Sequence, residues 1–261
     1  FFLLCLAQGF FFKRENAPQP WQSEQLMSEV IMEKVPTKET LSERVCQCIR
    51  RDIITGHLKA GSTINIQHLC DRYETSETPI RLALNRLATE NIVEHSPRQR
   101  VRVKELNINL CEETFDLRML LECYCIPYVI MTLGTNESIR LRFQKNVVEN
   151  LEIVQRLGPD DTIDDYLINY DYDMEFHQML IKCAGNQLLV NLYEYLNPFL
   201  YVNYVFNKQS KERLLNGIQE HERILRCLLE GDEEQARQAL TTHLLNSKQV
   251  IISILKIDSI L

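Results

Sequence analysis

Apolar residues that recur with the period of a helix mark the start of an ordered domain. From position 41 they occupy every fourth position, at Leu41, Val45, Ile49 and Ile53. This spacing places the four side chains on one face of an α-helix. Gly56 is of the residue type that most often follows a helix end. The pattern predicts a first helix that begins at Leu41, followed by a turn around Gly61.

Two further helices and a hairpin are predicted after this turn. Apolar positions mark the second helix at Ile66, Leu69, Cys70 and Tyr73, and the buried stripe of the third at Ile80, Leu84 and Leu87. Ser76 is a typical N-cap, and Pro79 falls in the first turn, where its missing amide hydrogen removes no hydrogen bond. Two short β-branched segments, 92–95 and 101–103, indicate a two-stranded wing. This order predicts a winged helix-turn-helix over residues 38–106.

The rest of the chain shows helical periodicity and no convincing strand. Six helices are predicted, at 108–133, 137–157, 163–184, 187–205, 211–230 and 233–255. Long helices with short connections predict an antiparallel bundle. We therefore expect a mainly α protein, in which the winged helix-turn-helix is followed by an all-α antiparallel bundle of about six helices at 107–261. Residues 1–37 are expected to be an N-terminal extension, partly helical or disordered.

Charge is distributed unevenly between the two predicted domains. The whole chain has a net charge of −7. Residues 41–104, however, contain eleven Lys and Arg against seven Asp and Glu, whereas residues 105–261 contain fourteen against twenty-four. The basic balance of the smaller domain fits an interaction with nucleic acid, and the acidic balance of the larger domain does not.

Cysteine usage and hydropathy indicate a cytoplasmic protein. The nine Cys have no regular spacing and form no C-x-x-C pair, so neither a disulfide framework nor a structural zinc site is indicated. The apolar run at 1–12 is shorter than the roughly 20 residues that a membrane-spanning helix needs. No basic residue precedes it, as one would in a signal peptide. We expect no membrane partner.

The second helix of a helix-turn-helix reads DNA, because its N-terminal residues contact base edges in the major groove. With the apolar stripe facing inward, Glu77, Thr78 and Arg81 are the exposed residues of that end. Arg81 is the main candidate, since a guanidinium can bond guanine bidentately or clamp a phosphate. A single helix Arg is also typical of a solvated surface. Gln67 and Ser76 complete the predicted contacts of the motif.

The wing carries basic residues at every second position. These are Arg98, Arg100, Arg102 and Lys104. On an extended strand this spacing places them on one side, as a positive rail for phosphates or the minor groove. A solvated edge strand favours the same charges. Arg98 and Arg100 are the candidate DNA contacts of the wing.

The helix-turn-helix motif resembles that of the GntR family of bacterial repressors. Residues 76–84, S-E-T-P-I-R-L-A-L, follow the family motif S-R-x-P-V-R-E-A-L, and the similarity extends over 41–103. The second arginine of the motif maps onto Arg81. The resemblance implies a bacterial, nucleoid-associated regulator, expected to be a repressor. The resemblance also implies that this regulator binds double-stranded operator DNA as a homodimer, on a palindrome with half-sites about one helical turn apart.

Three positions depart from the GntR motif. Glu77 replaces the first arginine, Leu82 replaces the acidic residue that follows the second arginine, and the wing-tip glycine is absent. An acid repels phosphate, but it can accept a hydrogen bond from cytosine N4. Glu77 therefore predicts an operator that differs from the family's usual one.

Histidine and aspartate spacing indicates a metal site in the second domain. His177, His221 and His243 fall on three different predicted helices, and Asp173 precedes His177 by four residues. This spacing places Asp173 and His177 on one helix face. Three imidazoles and a carboxylate suit a divalent transition metal and leave coordination positions open. From the spacing alone, a single helix His is more often a surface or core residue.

The same residues resemble the FCD effector domain of the FadR subgroup. The matching segments are Asp173-Met-Glu-Phe-His177, Gly185-Asn186, Glu220-His221, Gly231-Asp232 and His243, within a similarity over about 109–247. Arg118 and Glu122 fit the R-x-x-x-E of its first helix. The resemblance implies that Asp173, His177, His221 and His243 bind zinc, nickel or manganese at the floor of a cavity.

According to this resemblance, a small organic acid completes the coordination of the metal. Six predicted helices rather than seven favour the organic-acid branch over the fatty-acid-responsive branch. Arg118 is the candidate effector clamp, and an internal ion pair with Glu122 is the alternative role for this residue.

Two other functions remain open at this point. A metal-only sensor would need no organic ligand. A metal-dependent hydrolase would need a general base, but no H-E-x-x-H motif is present, and Glu175 cannot share the helix face of Asp173 and His177. We therefore expect a regulator and not an enzyme.

Overall fold

A computed structural model describes residues 40–96, 100–105, 107–158, 163–196 and 209–258. The described residues belong to one compact unit, Lys38–Leu261. The expected extension at 1–37 and the second half of the helix predicted at 187–205 lie outside the described residues, as does Arg98. The boundary predicted between residues 106 and 107 stays a prediction.

The N-terminal part has the predicted winged helix-turn-helix order with one additional strand. Its elements are α1 (Leu41–Ile54), β1 (Thr63–Ile64), α2 (Ile66–Arg72), α3 (Glu77–Thr89), β2 (Val93–Ser96) and β3 (Arg100–Val103). Thr40 and Glu43 form a capping box that begins α1, and the Asn65 side chain caps α2. Ser76 occupies the N-cap position of α3 as predicted, but its side chain forms no capping hydrogen bond.

Strands β2 and β3 pair as the predicted two-stranded wing, and β1, which was not predicted, adds a third strand in the order β1-β3-β2. Thr63 pairs with Arg102 and Ile64 with Val101. The turn before β1 reverses at Gly61, whose φ of +74° is readily adopted only by glycine. Burial of the Ile64 side chain favours the added strand. A two-residue strand is too short to leave an alternating pattern in the sequence.

The core of this domain contains the predicted apolar stripes. Ile49 of α1, Leu69 of α2 and Ile80, Leu84 and Leu87 of α3 are almost completely buried. They pack against Val101 and Val103 of β3 in one hydrophobic cluster. Leu41 is an exception, because the first residue of α1 remains 47% exposed. The core holds α3 with its N-terminal end at the surface.

A buried carboxylate that the hydrophobic pattern did not reveal joins α1 to α2. Asp52 accepts hydrogen bonds from Arg72 Nη2 at 2.9 Å and from the Tyr73 hydroxyl at 2.8 Å. Burial by itself would raise the pKa of the Asp52 carboxyl, but the hydrogen bonds from Arg72 and Tyr73 lower it below its usual value. Asp52 is therefore ionised and orients the first two helices.

The C-terminal part is a bundle of long helices. In the described residues these are α4 (Ile108–Thr135), α5 (Glu137–Arg156), α6 (Ile163–Lys182), α7 (Gln187–Leu196), α8 (Lys211–Glu230) and α9 (Glu233–Asp258). Each begins at the position predicted from the sequence. The mainly α fold is confirmed. Helix α4 is central, because it packs against each of the other five described helices of the bundle.

Helix α4 contains a proline in its interior. Pro127 has no amide hydrogen, so it cannot donate to the carbonyl of Cys123 one turn earlier. Arg237 of α9 replaces this bond, since its Nη1 donates to the Cys123 carbonyl at 3.2 Å. The proline is thus accommodated by a side chain from the helix that packs most extensively on α4.

Among the described helices, α4 is also the one long and apolar enough to cross a membrane by length and composition. It carries the buried charges of Arg118 and Glu122, and 44% of its apolar window is buried inside the bundle. Both features fit the core helix of a bundle. Leu117, Leu120 and Tyr124 lie on its exposed face.

The Asp52 network predicts a pH-dependent contribution to stability. Asp52→Asn should lower the free energy of unfolding at pH 7 by about 1–3 kcal/mol, because charged hydrogen bonds are lost. Because the native pKa lies below the unfolded value, the contribution of Asp52 is complete at neutral pH. The difference from wild type should therefore shrink as the pH falls below about 4.

Guanidinium unfolding of both proteins over this pH range tests the prediction. Asp71→Asn, which changes an exposed carboxylate on α2, is the control. Equal losses for Asp52→Asn and Asp71→Asn would show that the buried network does not stabilise the domain.

Candidate metal centre and nucleic-acid interface

The bundle brings together the four residues predicted as metal ligands. Asp173 and His177 lie one turn apart on α6, His221 lies on α8 and His243 on α9. One possible ligand atom from each residue falls within 4.8 Å of all the others. The histidines are almost fully buried, whereas the Asp173 side chain is 45% exposed. Residues distant in sequence therefore form one cluster.

The imidazole nitrogens in this cluster are spaced as metal ligands. His243 Nε2 lies 3.2 Å from the Nε2 atoms of both His177 and His221. An oxygen of Asp173 lies 3.5 Å from His221 Nε2. Two nitrogens that each bind a tetrahedral zinc ion at about 2.0–2.1 Å are roughly 3.3 Å apart. The donor set therefore fits a divalent ion without a large movement of the side chains.

The environment keeps the imidazoles in the form that binds metal. Burial lowers the pKa of His221 well below its usual value, and the neighbouring His243 and His177 lower it further. Burial also lowers the pKa of His243. The Phe176 ring stacks on His221 with a centroid distance of 4.2 Å, which fixes the plane of the imidazole. At neutral pH both His221 and His243 are therefore neutral, as a metal requires.

A buried carboxylate on α4 connects the cluster to Arg118. Glu122 Oε1 accepts from Arg118 Nε and from the Tyr193 hydroxyl, both at 2.8 Å, and Glu122 Oε2 lies 2.7 Å from His177 Nδ1. Burial would raise the pKa of Glu122, but the charge of Arg118 and the hydrogen bond with His177 hold it well below its usual range. Glu122 is therefore an ionised group inside the bundle.

Arg118 forms the internal ion pair that the sequence left as an alternative to an effector clamp. The two roles are compatible. The pair uses Nε, and the described residues provide no hydrogen-bond acceptor for the two terminal nitrogens of the guanidinium. Those nitrogens carry four of the five donor hydrogens of the side chain. Arg118 can therefore hold Glu122 and still bind an anion.

A second carboxylate supports His243 from the opposite side. Glu220 Oε2 lies 2.8 Å from His243 Nδ1, and Glu220 Oε1 accepts from Asn246 at 2.7 Å. Burial would raise the pKa of Glu220, but hydrogen bonds with His243 and Asn246 lower it.

Sequence reasoning assigned no role to Glu220 or Tyr193. The position of Glu220 directly before His221 gave a weak signal, because consecutive helix residues point in different directions. Tyr193 gave none.

The predicted DNA-reading residues lie on the exposed end of α3. Glu77, Thr78 and Arg81 are exposed, as are Ser76 before the helix and Gln67 on α2. Arg81 is not a lone surface charge, because its Nε donates to Glu77 Oε1 at 2.8 Å. The acid that departs from the family motif thus contacts the arginine that is expected to read DNA.

Two basic residues of the wing form contacts that alternation did not predict, and the positive rail itself stays a prediction. Arg100 is exposed. Arg102, by contrast, donates to the Gly61 carbonyl and lies 3.5 Å from Glu105, and Lys104 donates to Asn91. The turn before β1 supplies the Gly61 carbonyl to which Arg102 donates. Two of the four basic residues therefore form internal contacts, and Arg98 lies outside the described residues.

Comparison with known families agrees with both parts of this structure. The description "Bacterial regulatory proteins, gntR family" matches residues 41–103. The FCD domain matches residues 113–246, which is just over half of the chain. The protein belongs to the GntR family of transcriptional regulators with an FCD domain. The resemblances to the GntR motif and to the FCD domain are thereby confirmed.

Curated relatives of this GntR regulator are also transcriptional regulators. The HTH-type regulator YdhC of Bacillus subtilis is 25% identical over 195 residues, which cover 75% of this chain and 84% of that protein. LutR of the same species is 25% identical over 213 residues, which cover 76% and 95%. The families and relatives are regulators and not enzymes, as the sequence predicted.

A solved structure shows the same fold. Escherichia coli McbR/YncC superposes on this regulator with a TM-score of 0.65 at 19% identity. The match covers 82% of this chain and 98% of that one.

The hydrogen bond from Tyr193 to Glu122 predicts a loss of stability when the hydroxyl is removed. Tyr193→Phe leaves a buried carboxylate with one donor fewer, so we expect the free energy of unfolding to fall by about 1.5–3 kcal/mol. Tyr195→Phe is the matched control, because Tyr195 is exposed on the same helix. Thermal unfolding of the metal-free variants is the measurement. A Tyr193→Phe protein as stable as the Tyr195→Phe control would contradict the network.

Proposed function

We propose that the protein is a metabolite-responsive repressor of the FadR subgroup in the bacterial cytoplasm. In this proposal a homodimer binds a palindromic operator, and a divalent metal in the FCD domain coordinates a small carboxylate effector. The observation that carries the proposal is the convergence of Asp173, His177, His221 and His243 from three helices on one buried point. The lowered pKa values of His221 and His243 also favour the neutral form that binds a metal.

The donor set supports a transition metal. Imidazole nitrogen is a preferred ligand of zinc and nickel, and one carboxylate oxygen also suits manganese, so the ion in the cell follows availability as well as affinity. When bound, the ion supplies a fixed positive charge that attracts anions. The half-exposed Asp173 lies on the accessible side of the cluster, whereas the three histidines lie on its buried side.

A small carboxylate is the effector class that these residues favour. Arg118 is linked to the cluster through Glu122, and its terminal nitrogens, which form no hydrogen bond with the described residues, are proposed to bind the anion. A guanidinium matches a carboxylate with two parallel hydrogen bonds, which gives geometric selectivity as well as affinity. Because the site is largely buried, these electrostatic contacts are stronger than they would be in water.

The proposed switch is a change in how the bundle holds the DNA-binding domains. A ligand can shift such an equilibrium only by binding one arrangement more tightly than the other. The cluster joins α6, α8 and α9, and Glu122 adds α4, so a ligand at this point contacts or influences four helices at once. Small changes at the site are thereby distributed through the bundle.

Dimerisation on DNA follows from the operator symmetry that the family implies. A palindrome presents two equivalent half-sites, so it is bound by two copies of α3 related by a two-fold axis. The exposed apolar face of α4, with Leu117, Leu120 and Tyr124, supports contact with a second copy of the chain. Exposed apolar patches of this kind mark association surfaces.

Metal binding has a direct test. Protein purified without chelator or affinity metal should contain about one equivalent of a divalent transition metal per chain. His221→Ala and His243→Ala should each remove most of it, whereas His68→Ala, an exposed histidine on α2, should not. Added metal at 100 times its Kd should stabilise the wild type by about 2.7 kcal/mol, because only the folded state binds it.

Elemental analysis and thermal unfolding give the two readouts. Wild-type protein with only a trace of metal, and a quadruple alanine variant of equal stability and equal response to ligands, would refute the metal centre.

If Arg81 contacts a base of the operator, its substitution should reduce the preference of the protein for that sequence. Arg81→Ala should lower operator affinity by roughly 1–3 kcal/mol and abolish the footprint, because a base contact is removed. Arg86→Ala is the matched control, since Arg86 has similar exposure but lies at the other end of α3. Footprinting and titration at fixed salt measure both effects. An unchanged footprint for Arg81→Ala, or a monomer on the DNA, would exclude this reading of the operator.

A further inference from the structure

Two carboxylates outside the ligand set contact the outer nitrogens of two histidines. Glu122 Oε2 lies 2.7 Å from His177 Nδ1, and Glu220 Oε2 lies 2.8 Å from His243 Nδ1. An ionised carboxylate can only accept hydrogen bonds. In both contacts the Nδ1 atom must therefore carry the hydrogen and donate it.

These contacts determine whether the Nε2 atoms carry a hydrogen or a lone pair. A neutral imidazole has a single N–H group, so a ring that donates from Nδ1 has a lone pair on Nε2. The Nε2 atoms of His177 and His243 face each other at 3.2 Å. Two lone pairs at this distance repel, and a cation between them converts the repulsion into two favourable contacts. An imidazolium that donates from one Nε2 to the other is the competing explanation.

We propose that Glu122 and Glu220 are positioning residues of the metal centre. Each fixes the Nδ1–H tautomer of one histidine and directs its Nε2 atom to the common point. The proposal rests on the metal centre proposed above. It assigns a role to two carboxylates that are not themselves ligands. Metal affinity should therefore depend on groups that contact the ligands but not the ion.

The two carboxylates differ in what their replacement would disturb. Glu122 is completely buried and is the ion-pair partner of Arg118, so Glu122→Gln leaves a buried charge without a partner and can prevent folding. Glu220 is partly exposed and also accepts from Asn246. Glu220→Gln is therefore the decisive variant. The double variant Arg118→Gln with Glu122→Gln removes both buried charges and tests Glu122.

A matched control lies two residues further along the same helix. Glu222 flanks His221 on the other side and is exposed, so Glu222→Gln makes the same change in charge next to the same ligand. Zinc affinity is measured for the three folded proteins by competition with a chelator. Glu220→Gln should bind zinc about 10- to 100-fold more weakly than wild type, and Glu222→Gln should bind it as wild type does.

A second readout identifies the ligand atoms. In protein loaded with ¹¹³Cd and labelled with ¹⁵N-histidine, the cadmium should couple to Nε2 of His177 and His243, and both Nδ1 atoms should carry a hydrogen. A merely structural carboxylate would not determine which nitrogen binds.

The outcomes separate the two proposals. Wild-type protein that binds neither zinc nor cadmium overturns the metal centre and this inference with it. Wild-type protein that binds metal, with Glu220→Gln equal to Glu222→Gln or with coupling to Nδ1, overturns the positioning role alone. An imidazolium hydrogen shared between His177 and His243 that persists in the presence of metal also overturns it.

Discussion

Three imidazole rings are buried at the centre of the C-terminal bundle with their Nε2 atoms directed toward one another. The surrounding side chains hold the rings in this arrangement. His243 Nε2 is 3.2 Å from the corresponding atoms of His177 and His221. Neutral nitrogens at this distance repel unless a proton or a cation lies between them. The rings cannot easily turn away, because Phe176 stacks on His221 and carboxylates hold the other two from outside. A metal ion at this point would join α6, α8 and α9, and stability and ligand sensing would then depend on the same contacts.

The ion pair in the C-terminal bundle is buried, whereas the ion pair on α3 is exposed. In the bundle, Glu122 would be costly to bury alone, and Arg118 and Tyr193 together with His177 provide the donors that compensate for burial. In the proposed function, an anion that engages Arg118 would therefore act on an ion pair that contacts His177, a proposed metal ligand. On α3, by contrast, Arg81 and Glu77 form an exposed pair, and such pairs contribute little to stability. In the proposed complex with the operator, DNA would replace this contact at small cost, so Glu77 would bias the choice of base without locking Arg81.

Sequence periodicity was enough to predict the helices, because each buries one wide apolar stripe, and the stripes of α1 and α3 correspond to the core. The metal cluster could also be predicted, since Asp173 and His177 are one turn apart and the family resemblance placed His221 and His243 beside them. Very short elements, and contacts between residues that are distant in the sequence, could not be predicted. Strand β1 is two residues long, the Asp52 network depends on Arg72 and Tyr73 being brought to α1 by the fold, and Tyr193 reaches Glu122 only through tertiary packing. The same limitation explains the wing, where alternation gave the spacing of the basic residues but not the acceptors that Arg102 and Lys104 find.

The coupling between the two domains is the centre of the proposed function, and one titration tests it most directly. Operator affinity of the metal-loaded protein is measured at fixed salt in the presence of small carboxylates that have been shown by calorimetry to bind it. We predict that at least one of them changes operator affinity about 5- to 150-fold, the usual range of allosteric coupling, and that the change disappears when the metal is removed. Carboxylates that bind the metal-loaded protein and leave operator affinity unchanged would contradict the proposed function.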